Sequence, residues 1–104
     1  VTVCDLEGTI IGMNARARRI FGPEQQFIGS NVLDCHPEPA RSKLRELLAT
    51  GATNVYTVEK NGVKKLIYQA PWYQNGVRAG MVELSLEIPF DLPHFVRASS
   101  ERTA

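Results

Sequence analysis

Two Asn-Gly pairs, Asn61-Gly62 and Asn75-Gly76, punctuate the second half of this chain, and each stands between stretches that alternate with a period of two. A two-residue Asn-Gly connection takes the mirror-image turn that matches the twist of paired strands, so it marks a tight hairpin. The alternation runs from Thr53 to Lys60, from Val63 to Tyr73 with Leu66, Tyr68, Ala70 and Trp72 on one face, and from Val77 to Ile88. In the last stretch Val82, Leu84, Leu86 and Ile88 alternate with Glu83, Ser85 and Glu87. This half of the chain is therefore expected to form a three-stranded antiparallel meander, which excludes a helical bundle and an all-parallel sheet.

The first half adds a hairpin and helices. Val1 to Cys4 and Thr9 to Met13 read as short strands around the turn Asp5-Leu6-Glu7-Gly8. Asn14 is placed to cap a short helix with Ala17, Ile20 and Phe21 on one face and Gly22-Pro23 closing it. Arg16, Arg18 and Arg19 lie off that stripe and read as a solvated face. Glu24 to Cys35, with Gly29 and Ser30-Asn31 between Phe27-Ile28 and Val32-Leu33, suits a loop with one irregular helical turn that could wall a pocket. Pro37-Glu38-Pro39 then opens the best-defined helix, with Ala40, Leu44, Leu47 and Leu48 at helical spacing and Gly51 placed to end it.

Composition bounds the rest. A chain of 104 residues with 43% hydrophobic content supports one core and a small pocket, and no two-domain cleft. A formal net charge of +1 supplies no field for a polyanion or an anionic bilayer, so nucleic acid is not an expected partner. Apolar runs are far shorter than a bilayer span, and no membrane insertion is expected. Cys4 and Cys35 make neither a disulfide framework nor a CxxC pair, which fits a reducing, cytoplasmic setting. The chain starts inside an apparent strand and ends in Ser99 to Ala104, as a segment of a longer protein would. The expected division is a sensory unit over residues 1–88 and an extension or linker over 89–104. In the latter Phe90, Leu92, Phe95 and Val96 are costly to leave in water and are expected to dock on this domain or a partner.

The order of elements fits an α+β fold: a five-stranded antiparallel sheet with short helices and one longer helix on one face. The sequence also resembles the PAS sensory family. The resemblance rests on Asp5-Leu6-Glu7-Gly8-Thr9-Ile10, Asn14 at the helix start, Ile28-Gly29-Ser30, His36-Pro37-Glu38 before the long helix, and Asn61-Gly62 between strands. It covers nearly the whole chain to Ile88. Cys35-His36-Pro37 is similar to a bacterial PAS subset that carries Cys-His-Pro at this place and runs on past the last strand into a Pro-Phe-x-x-Pro-His-Phe tail. The resemblance implies a cytoplasmic sensory or interaction module, commonly a homodimer, attached to an output domain such as a histidine kinase, a cyclic-dinucleotide enzyme or a DNA-binding unit.

Cys35-His36 is the one place where two soft or borderline metal ligands adjoin. His36 can hold haem iron through a neutral imidazole, or it can cap the helix or bond a backbone carbonyl while Cys35 packs as a small hydrophobe. Cys4 would join them only if all three faced inward. Tyr68, Trp72 and Tyr73, with Tyr56 on the neighbouring strand and Leu44 on the long helix, offer walls and donors for a haem, a flavin or an organic acid, or serve as ordinary packing. The flavin photosensor needs a cysteine in an Asn-Cys-Arg-Phe-Leu-like context, from which Asp34-Cys35-His36-Pro37 departs. No serine or cysteine has the setting of an activated nucleophile, and His94 with Asp91 lacks one nearby. Glu83 and Glu87 fall roughly 13 Å apart along a strand, too far for a catalytic carboxylate pair, and read as a solvated or interface face.

The expectation is a sensory module that takes a small molecule or cofactor between sheet and helices and signals by dimer or linker rearrangement. The alternative is a ligand-free interaction and dimerisation domain; a small enzyme is the third reading.

Overall fold

The computed structural model describes residues 1–21 and 28–100, and seven elements follow one another along them. Strands β1 (Thr2–Asp5) and β2 (Ile10–Met13) precede helices α1 (Ala15–Phe21) and α2 (Ala40–Thr50). Strands β3 (Asn54–Lys60), β4 (Val63–Gln74) and β5 (Val77–Ile88) complete one sheet in the order β2-β1-β5-β4-β3. Every pairing is antiparallel, so the α+β fold is the one expected. Gly22-Pro23 and the stretch to Phe27 lie outside the described residues, as do the side chains of Ile20 and Phe21.

Local chemistry explains the turns. Asn61 and Asn75 adopt φ of 54° and 52°, and the glycines after them 75° and 79°, as the mirror-image hairpin turn requires. In the first hairpin the Asp5 carboxylate accepts from the amides of Glu7 and Thr9, both at 2.9 Å, and Gly8 takes φ 87° to bring the chain back. A side chain at Gly8 would press on Asn31, which staples this turn by donating to Glu7 O at 2.8 Å. Asn14 caps α1 through Oδ1, which accepts from Ala17 N at 2.9 Å. Gly51 ends α2 in the left-handed region, with its amide donating to Leu47 O.

Two irregularities shape the sheet. The register of β1 with β2 shifts after Val3, leaving Ile11 as an extra residue, and that of β4 with β5 shifts after Trp72, leaving Ala79 unopposed. The second bulge turns Arg78 to the helix side, where it donates to Ala49 O at 3.1 Å and lies against Gly51. Pro71 sits where β4 has a neighbour on one side only, because β3 ends opposite Gln69.

The core lies at one end of the sheet. Cys4, Ile10 and Met81 meet Leu44, Leu47 and Leu48 of α2 and Val32 of the preceding loop, with Met13 and Leu33 at the margin. Farther along, the helix-covered face turns polar: Asn54, Gln69 and Glu83 stand side by side across β3, β4 and β5. Arg16 of α1 reaches Glu87 on this same face at 2.7 Å.

Two expectations need correcting here. The expected solvated or interface face holds for Glu87, which is exposed beside Arg16, but not for Glu83, which is half-buried on the helix side and bonded to Gln69. The apolar partners of that alternation, Val82, Leu84 and Leu86, stand instead on the open face with Val3, Leu66, Tyr68 and Ala70. A period of two sorts residues into two faces and carries no label saying which one the helices cover. Of the two docking places expected for the apolar tail, this domain is not the one: Phe90, Leu92, Phe95 and Val96 are all exposed.

Candidate functional site

The loop between α1 and α2 is tied down before it reaches the sheet. Val32 N donates to Gly8 O at 2.8 Å, and one turn later the His36 ring returns to Val32, with Nδ1 donating to its carbonyl at 2.7 Å. Arg41 on α2 clamps the same segment, its Nε donating to Leu33 O at 2.9 Å and His36 O at 3.1 Å. His36 therefore has a fixed ring plane and, in the neutral ring, a fixed tautomer in which Nε2 is the acceptor.

Beside it opens a cavity of about 370 Å³ between the start of α2 and the sheet. Its helix wall is His36, Pro39, Ala40, Lys43 and Leu44; its sheet wall is Asn54, Tyr56 and Gln69. A volume of this size accommodates a small organic molecule. The sheet wall is wired together: Asn54 Nδ2 donates to Gln69 Oε1 at 2.9 Å, and Gln69 Nε2 donates to Glu83 Oε1 at 2.7 Å. Gln69 is only 2% exposed, so both bonds offset a desolvation cost that a lone buried amide would carry in full. Burial, and then the negative charge of Glu83, push the Tyr56 phenol above its ordinary range. Lys43 pairs with Glu46 at 3.5 Å on the exposed side of α2.

Of the six residues marked by sequence for ligand contact, the cavity gathers His36, Leu44 and Tyr56. Cys35 adjoins it in sequence, but its Sγ turns to Asn31 O at 3.6 Å. Tyr68 and Trp72 stand on the open face, and Trp72 Nε1 donates to Cys4 O at 2.9 Å. Sequence reasoning missed Asn54 and Gln69. The signal was there in Gln69, an amide amid apolar neighbours in the middle of a strand, which needs partners if buried.

Burial pushes the Cys4 and Cys35 thiols up, so each is held in the protonated, weakly nucleophilic form near neutrality. Among the described residues no three His, Cys, Asp or Glu side chains converge on a point, so Cys4, Cys35 and His36 do not form a cluster. A porphyrin plane needs broad apolar walls on both faces. Two amides and a phenol form one wall here, and these residues do not fit a haem. The thiol of Cys35 is likewise not presented to the cavity, as covalent flavin photochemistry would require.

No protein-family model and no curated protein matches this sequence. Among solved structures, the sensor region of a sensor histidine kinase superimposes with a TM-score of 0.60 at 18% sequence identity, over 83% of this chain. The two share a fold. The chain spans 38% of that structure's own length, and at this identity the likeness is one of architecture. Among the described residues no helix is long and apolar enough to cross a membrane.

Proposed function

We propose that this domain is a PAS-type sensory module of a longer bacterial regulatory protein, cytoplasmic and itself without catalytic activity. It binds a small molecule in the cavity between α2 and the sheet and reports the bound state to an attached output domain. The observation that carries this reading is the cavity itself: a fixed imidazole, the buried Gln69 amide bonded to the half-buried Asn54, and an apolar floor, set in a fold shared with a sensor region. Leu44 supplies the link to signalling, because it lines the cavity and packs in the core with Met81 of β5. A ligand that favours one placement of α2 shifts the population of β5 arrangements, and β5 leads directly into the chain's exit.

The test is thermal melting of the domain against fractions of a bacterial small-molecule extract. At least one fraction is expected to raise Tm by several degrees, as a ligand well above its Kd does, and Ala40→Trp, which fills the cavity, is expected to abolish the rise. No responsive fraction, or a rise that survives Ala40→Trp, overturns the reading.

A second reading, homodimerisation, is favoured by the open face of the sheet. Val55 is 50% exposed, Leu86 48% and Tyr68 39%, and they adjoin across β3, β4 and β5 on a surface that no helix among the described residues covers. An apolar patch of this kind on a folded domain marks an interaction surface. Sedimentation is expected to show a dimer that Leu86→Glu converts to monomer with Tm little changed. A native monomer at high concentration would remove this reading and leave the cavity untouched.

A further inference from the structure

The direction of the hydrogen bonds in the sheet wall restricts the chemistry of the ligand. A carboxylate only accepts, so Gln69 must offer its amide nitrogen to Glu83 and its oxygen to Asn54. Asn54 must then spend one N–H on Gln69, which leaves its carbonyl oxygen, with the second N–H beside it, as the end of the ladder among the cavity's lining residues. His36 is oriented in the same sense from the opposite wall, because Nδ1 gives its hydrogen to Val32 O and leaves the Nε2 lone pair. The charges agree with this polarity. Lys43 is the cationic side chain among the lining residues, and it is paired with Glu46, while the Glu83 carboxylate stands behind the amide ladder without a cationic partner among the bonds described. Burial first, and then that negative charge, raise the Tyr56 phenol at the cavity wall.

The geometry points to a neutral or cationic small molecule rich in N–H or O–H donors, such as an amide- or amidine-bearing ring, as the ligand class of this cavity, in preference to a carboxylate. This rests on the proposal that the cavity is a ligand site. Glu83 acts here as a positioning residue: it sets which way two amides point without touching the ligand.

Three probes with one ring and a graded substituent test it: benzamidine, benzamide and benzoate. Each is titrated into the domain in a buffer well above the imidazole range, with proton–nitrogen correlation spectra that include the side-chain amides of Asn54 and Gln69. Benzamidine and benzamide are expected to shift those amides and to bind at least about tenfold more tightly than benzoate. Glu83→Gln removes the charge and lets the ladder run either way, and is expected to reduce the preference to about threefold or less. Asn54→Ala, at the half-buried start of an edge strand, is expected to weaken benzamide and to lower Tm modestly, because the buried Gln69 oxygen loses its donor. Benzoate binding as tightly as benzamide overturns the ligand class and leaves the site standing. If no probe shifts any lining residue at millimolar concentration, the site falls and the ligand class with it.

Discussion

Replacing Gly80 with alanine is expected to cost about 3 kcal/mol or more of unfolding free energy, at the upper end of what overpacking does to a well-packed interior. Gly80 stands on β5 opposite Asp5 of β1 and Trp72 of β4. A Cβ at this position would run into the Cys4 carbonyl oxygen and lie 2.8 Å from Asp5 Cα. Both are main-chain atoms of a strand held by its own ladder, so no side chain can swing aside. The same carbonyl accepts the Trp72 indole at 2.9 Å, and a displaced β1 would break that bond as well. Since domains of this kind are stable by only about 5–15 kcal/mol, Tm should fall by more than about 10 °C. Trp72 is the single tryptophan, so its emission reports the transition directly. Gly12→Ala is the control, because the nearest atom to a Cβ there is 3.9 Å away and the backbone is not left-handed. Equal Tm values for the two variants would mean that β1 does not approach Gly80 as described.

Leu44→Ala is expected to cost about 2–5 kcal/mol, the range for truncating a fully buried leucine. Leu44 is 2% exposed and is, with Cys4, among the most completely buried side chains of the domain. Its removal detaches the middle of α2 from Met81 and Ile10 and opens the cavity wall toward the core. Leu44→Met keeps the volume and should lose less than about 1.5 kcal/mol. Denaturant melts of both variants give the comparison through the midpoint at unchanged slope. A loss below about 1 kcal/mol for alanine would place Leu44 outside the cooperative core and break the proposed link between ligand and β5.

Much of the fold was legible because its signals are local. Asn-Gly turns need only their own φ values, Asn14 needs only the amide three residues on, and the leucine spacing of α2 follows from the helical period. The site was less legible. His36, Leu44 and Tyr56 line one cavity, whereas Tyr68 and Trp72, grouped with them on aromatic character alone, stand on the open face. Gln69 and Asn54 went unmarked because an amide's role depends on what lies across the sheet, and their partner Glu83 is fourteen residues beyond Gln69 in sequence.

Helix α2 begins at Ala40, after Pro37-Glu38-Pro39 rather than within it, but the amino-acid order determined its end at Gly51, the strands, their hairpin connections and the two sets of residues that alternate along each strand. Those follow from backbone sterics and short-range periodicity, which act within a few residues. Tertiary structure alone decided that the helices cover the face bearing Gln69 and Glu83 rather than the face bearing Val82, Leu84 and Leu86. That choice depends on how β1 enters between β2 and β5 and where Leu44 can bury itself, and on energies summed over residues far apart in the chain.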